Sequence, residues 1–125
     1  MFKSLAIAML MLGLLAQAAA AHDITLSGSS WTMSDGSGRS ISFSAGGRVS
    51  GFAGCNRYIG SYAQSGDNLR IKALGNTRMG CFKGKGASDD EFLRLLASAR
   101  KFMITSTGLS LQSAARQAIT TLRRK

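Results

Sequence analysis

The stretch Gly-Phe-Ala-Gly-Cys-Asn-Arg-Tyr-Ile-Gly-Ser-Tyr, Gly51 to Tyr62, constrains this chain most, together with Thr77-Arg78-Met79-Gly80-Cys81 downstream. These two segments hold the only two cysteines of 125 residues. Gly51, Gly54 and Gly60 punctuate a run otherwise rich in aromatic and β-favouring residues. Glycine within a strand marks a bulge, a bend or a close backbone approach. The pattern predicts a kinked strand whose Cys55 faces Cys81 on a neighbouring segment.

The order Gly-x-x-Gly-Cys-Asn-Arg-Tyr-x-Gly-x-Tyr, a Leu-x-Ile strand at Leu69 and Ile71, Thr-Arg-Met-x-Cys, and a helix opened by Glu-Phe-Leu resembles the META domain family. The bacterial heat-shock protein HslJ belongs to that family. The resemblance runs from about Ser30 to the C-terminus and makes Gly51, Gly54, Asn56, Gly60, Thr77 and Met79 its structural motif. It implies an α+β fold: a strongly curved antiparallel sheet, close to a small barrel, with a helix packed across an opening. It also implies a cell-envelope stress-response or protein-interaction role, and names no ligand.

The chain length fits one domain. Residues 1–21 read as a Sec signal peptide: Lys3, an apolar run from Leu5 to Leu15, then Ala19-Ala20-Ala21. That run is shorter than the roughly 20 residues a spanning helix needs. No cysteine lies near the junction, so the expected product, residues 22–125, is exported, soluble and not a lipoprotein. A monomeric periplasmic protein is expected, with a secreted one as the alternative. Removing residues 1–21 removes Lys3 and leaves the acids, taking the formal charge from +10 to +9. This excess favours anionic partners, and it also confers plain solubility.

Two cysteines in an exported chain argue for a Cys55–Cys81 disulfide. The competing reading is a pair of metal-binding thiolates. Zinc would need further ligands, and a single histidine, His22, does not complete a set. The expectation is therefore a disulfide, with no metal and no cofactor.

Along the chain, six to eight short strands are predicted. Leu26 to Met33 and Ile41 to Phe43 flank the turn chemistry of Asp35-Gly36-Ser37-Gly38. Trp31 is a core residue. Val49 and Gly51 face one side of the next strand, and Tyr58 to Tyr62 resume after the glycines. Leu69, Ile71 and Ala73 alternate with Arg70 and Lys72, a half-buried strand with its cations in water. Lys83 to Gly86 reads as an exposed basic loop. Ser88 and Glu91 then form a capping box, with Asp89 and Asp90 suiting the positive end of the helix dipole. Phe92, Leu95, Leu96 and Ala99 recur at helical spacing, and Arg100 and Lys101 close the helix. Phe102 to Thr105 and Leu109 to Leu111 form a hairpin. Residues 118–124 are ambiguous, and the family resemblance tips them to a closing strand. Arg123-Arg124-Lys125 reads as a solvated basic tail.

The constellations an enzyme needs are missing. A Ser-His-Asp or Cys-His arrangement would have to use His22, beside a terminus, and capping accounts for the clustered acids. Catalysis is not expected. A binding role remains, with Arg57, Tyr58, Tyr62 and Arg78 as a basic recognition surface bearing an aromatic platform. The partner is either an envelope protein or, alternatively, an anionic envelope polymer or nucleic acid held electrostatically.

Overall fold

Val49 is buried between exposed Arg48 and Ser50, and Leu69 and Ile71 are buried on either side of exposed Arg70. This period of two suits a strand with one face in a core and the other in water. The computed structural model describes residues 24–77, 81 and 85–125. The expected signal peptide, Arg78 and Met79 lie outside the described residues.

The strands are β1 (Ser29–Thr32), β2 (Ser40–Phe43), β3 (Arg48–Phe52), β4 (Arg57–Ser65), β5 (Asn68–Asn76), β6 (Lys101–Ile104), β7 (Leu109–Gln112) and β8 (Ala118–Arg124). Among the described residues one helix, α1 (Lys85–Ser98), separates β5 from β6. The eight strands form a closed antiparallel barrel in chain order, with β8 returning to β1. The sheet is thus closed rather than merely curved, and the pairing of β8 with β1 covers the two outer edges of the strand series.

Closure depends on the C-terminal segment. Trp31 pairs with Arg124 and Thr32 with Arg123, and the amide of Lys125 donates to the carbonyl of Ser30 at 3.0 Å. Residues 118–124 are strand, and the expectation of a solvated tail is corrected. The side chains of Arg123, Arg124 and Lys125 stay exposed and Leu122 turns into the core, while the backbone completes the ladder.

The barrel is filled. Trp31, Ile41, Phe43, Val49, Tyr58, Leu69, Ile71, Phe102, Leu109, Leu111 and Leu122 form one core with Leu26, with Phe92 and Leu96 of the helix and with Ala99 just beyond it. Gly51 lies inside because nothing larger fits: a Cβ there would sit 2.1 Å from the carbonyl oxygen of Ser40. Tyr58 uses the same space, donating its hydroxyl to that oxygen at 2.6 Å.

The weak point of the ladder is the seam between β5 and β6, where Asn68 opposite Lys101 is the register pair. The backbone bonds Leu69 N–H to Arg100 O (2.8 Å) and Phe102 N–H to Asp67 O (3.0 Å) flank it. β5 runs away from this seam to Asn76, opposite Tyr58. The helix then carries the chain back to Lys101, packing its apolar stripe where the two strands diverge.

The helix begins at Lys85, so Lys85 and Gly86 belong to it rather than to a loop. Ser88 and Glu91 therefore lie inside the helix, and the expected capping box is corrected. Asp89, Asp90 and Glu91 fall beyond the turn in which the dipole acts most strongly. The far end follows expectation in part: Arg100 Nη1 donates to the carbonyls of Ala97 (2.8 Å) and Ala99 (2.9 Å), while Lys101 already belongs to β6.

Candidate functional site

Two places on the barrel gather polar chemistry. The first is the loop between β3 and β4, where Gly54 takes φ +128°, a conformation that side-chain-bearing residues rarely adopt. The turn brings Cys55 to Cys81, and the two form a disulfide with Cα atoms 5.9 Å apart. Asp89 of α1, fully buried, reaches the same loop. Its Oδ1 accepts from the amide of Cys55 at 2.7 Å. Its Oδ2 accepts from the amide of Asn56 at 3.0 Å and from Asn56 Nδ2 at 2.7 Å. Asn56 Nδ2 also lies 3.2 Å from the sulfur of Cys81.

Arg39 braces the same junction. Its Nε donates to the carbonyl of Ala53 at 3.2 Å, and its Nη2 donates to the carbonyl of Ser88 at 3.1 Å and to the Ser88 hydroxyl. Its guanidinium lies over the Phe92 ring, 5.6 Å from the centroid. Asn56, part of the structural motif that the family resemblance implies, thus bonds across from the loop to the helix. Asp89, read from sequence as a dipole-compensating acid, is the helix side of that contact. The signal that distinguishes it is its position in the helical stripe, three residues before Phe92.

The second place is the outer surface of β3, β4 and β5. Arg48 stands opposite Ser61, and Ser61 opposite Lys72. In the next row outward, Ser50 stands opposite Ile59, and Ile59 opposite Gly75. Residues directly opposite share a face, so Arg48, Arg57, Ile59, Arg70 and Lys72 all point outward. All four cations are exposed, and the three strands contain no carboxylate. Ile59 is 64% exposed. A groove of about 350 Å³ runs along Arg57, Ile59, Gly75 and Thr77, and one of about 500 Å³ along Ser44, Arg48, Ser50 and Ser61.

Among the described residues of the recognition set read from sequence, this surface retains Arg57; Arg78 lies outside the described residues. Tyr58 points into the barrel, and burial pushes its phenol well above the ordinary value. Tyr62 is half-buried edge-on against Phe43, its hydroxyl donating to the carbonyl of Ser44 at 2.8 Å. Neither supplies an aromatic platform, because strand alternation turns both inward. Gly60 marks an irregularity in the β4–β5 register, and Thr77 continues the ladder through its amide to the carbonyl of Arg57 at 3.0 Å. The sequence reading missed Ile59, whose exposure follows only from the register.

These features define a small, side-chain-filled antiparallel barrel with an inserted helix pinned to a disulfide-bearing loop. The META domain model matches residues 24–125, and the chain belongs to the META domain family. It is similar in structure to a Burkholderia xenovorans protein solved by NMR (TM-score 0.66, 26% identity, covering 80% of this chain and 83% of that one). A second NMR structure gives a TM-score of 0.57 at 27% identity, over 80% of this chain and 90% of that one. A DUF4847 family protein from Bacteroides vulgatus ATCC 8482 shares the fold, with a TM-score of 0.51 at 19% identity over 70% of this chain and 58% of that one. No curated protein matches the chain.

Proposed function

We propose that this META domain is a non-catalytic, exported interaction module of the cell envelope that binds an acidic protein through the outer face of β3–β5. The observation that carries this reading is Ile59, 64% exposed at the middle of a face whose charged residues are all cations. An apolar centre within a polar rim is the anatomy of a protein interface. The cations steer an acidic partner and set its orientation, and the apolar anchor resists salt. A non-catalytic role is supported by what the reactive groups already do: both thiols are in a bridge, and Asp89 is engaged by amides. Exposed, unbuttressed cations suit binding rather than chemistry. An envelope stress role agrees with the family resemblance.

The test is crosslinking capture from an envelope extract at low and moderate salt, comparing wild type with Ile59→Asp and with the Arg48→Glu, Lys72→Glu pair. A discrete protein retained at moderate salt and lost with either variant is expected. Capture only of polyanionic material, released steeply as salt rises and indifferent to Ile59→Asp, would replace the protein partner by an anionic polymer.

A further inference from the structure

The disulfide stands beside a third donor. The sulfurs of Cys55 and Cys81 and a carboxylate oxygen of Asp89 all lie within 4.8 Å of one another. The sequence offers no such set, because Asp89 is 34 positions from Cys55 and reads as part of a helix start. We propose that the Cys55–Cys81 bridge is the closed form of a zinc site, which opens on reduction to present two thiolates and the Asp89 carboxylate, with water in the fourth position.

Geometry and charge both carry this assignment. Tetrahedral zinc with Zn–S bonds of about 2.3 Å places its two sulfurs roughly 3.8 Å apart. Two cysteines with Cα atoms 5.9 Å apart reach that separation by side-chain rotation, without moving their backbones. Two sulfurs and one oxygen make a borderline-soft set that suits zinc over calcium or magnesium. The carboxylate is already oriented: the amides of Cys55 and Asn56 and the side chain of Asn56 hold its two oxygens. Asn56 Nδ2 spans that carboxylate and the Cys81 sulfur, 2.7 and 3.2 Å away, so one outer-shell donor serves two ligands. Two thiolates, a carboxylate and Zn²⁺ sum to one negative charge. The Arg39 guanidinium offsets it from nearby: Arg39 Nε and Asp89 Oδ1 each lie 3.4 Å from the point where a Gly54 side chain would begin.

The chemistry balances with a dithiol reductant. Two exchange steps break the S–S bond, the dithiol leaves as its own disulfide, and Cys55 and Cys81 become thiols. Zinc binding then releases the two thiol protons to solvent. Exchange of the two thiolates with an external disulfide, which leaves as its dithiol after taking two protons from solvent, restores the bridge and expels the metal, so the loop exchanges one cross-link for another.

The test uses the folded protein reduced by a phosphine in metal-free buffer, with Co²⁺ and then Zn²⁺ as probes. Reduced wild type is expected to bind one equivalent of Co²⁺ with intense thiolate-to-cobalt absorption and tetrahedral visible bands. Zn²⁺ should displace the Co²⁺, and the oxidised protein should show neither signal. Asp89→Asn should weaken Co²⁺ binding at least tenfold, and Cys55→Ser should abolish the charge-transfer band. Should Asp89→Asn fold poorly, the melting temperature of reduced wild type is the second measurement, and it should rise with added Zn²⁺. No cobalt absorption in the folded, reduced wild type would overturn the site. A linear two-sulfur complex with Cu⁺ and no zinc binding, or cobalt bands unchanged in folded Asp89→Asn, would overturn the three-donor set.

Discussion

Asp89 and Asn56, 33 positions apart, meet through two hydrogen bonds to one carboxylate oxygen, at 3.0 Å from the backbone amide and 2.7 Å from the side chain. This contact ties the start of the helix to the cysteine loop. Among the described residues, Arg39 bonded to Ser88 and the apolar stripe hold the helix alongside it. A buried carboxylate that receives three N–H donors acts as a rivet between two elements of different type.

Removing that rivet should cost more than removing its neighbour. Asp89→Ala leaves three donors without their acceptor in a buried place, a loss of about 3 kcal/mol or more. Asp90→Ala, on the exposed side of the same helix, should stay within about 0.5 kcal/mol of wild type. Urea midpoints for the two variants check this, and equal values would refute the assignment.

Two glycines should respond differently to the same substitution. Gly51→Ala places a methyl 2.1 Å from the Ser40 carbonyl and 2.9 Å from the Tyr58 hydroxyl, both fixed in the barrel wall. Destabilisation of about 3 kcal/mol is expected. Gly46→Ala meets nothing within 4 Å and should be neutral or slightly stabilising, since alanine narrows the unfolded ensemble. Thermal melts of the pair separate close approach from a general need for glycine.

The C-terminal strand should be indispensable although it ends in two cations, Arg123 and Arg124. Ending the chain at Gln117 removes β8, leaving β1 and β7 with unpaired edges and Leu122 absent from the core. That chain should not fold, as judged by circular dichroism and by the emission of Trp31. The milder Arg124→Ala removes a guanidinium 4.5 Å from the Trp31 ring centroid. It should cost about 1 kcal/mol and shift the tryptophan emission to the red.

Acid should weaken the seam through Asp67. The hydrogen bond from Arg116, together with the charges of Arg116 and Lys101, holds this carboxyl below its ordinary value of 3.8. A folded-state pKa below the unfolded one means the contribution is fully present above the unfolded value. It is lost as pH falls through the lower, folded value. Asp67→Asn should therefore have a lower urea midpoint than wild type at pH 7, and the difference should shrink as the pH falls below the ordinary value of 3.8. A difference that persists in acid would show that Asp67 acts through packing or its turn.

Much of the architecture is legible before folding. The alternation of Arg48-Val49-Ser50 and of Leu69-Arg70-Ile71, the turn chemistry around Gly36, and the helical recurrence of Phe92, Leu96 and Ala99 are local patterns. Local patterns follow from backbone periodicity alone. The cysteine pairing was also within reach, because two thiols in one chain leave one intramolecular partner. Side-chain roles were harder. Tyr58 and Asp89 were assigned by residue type, and the same types serve surface and interior alike.

The sequence by itself therefore determined the elements in outline: six to eight short strands, one amphipathic helix, the facing cysteines and the cationic excess. Periodicity and turn residues act over a few positions and need no distant partner. Only the tertiary structure decided that Arg123 and Arg124 close the barrel and that Asp89 meets Asn56. It also decided that Ile59 stands exposed among four cations. Each depends on register and closure, which set opposite one another residues that lie far apart in the chain. A shift of one position would turn Ile59 inward and Tyr58 outward.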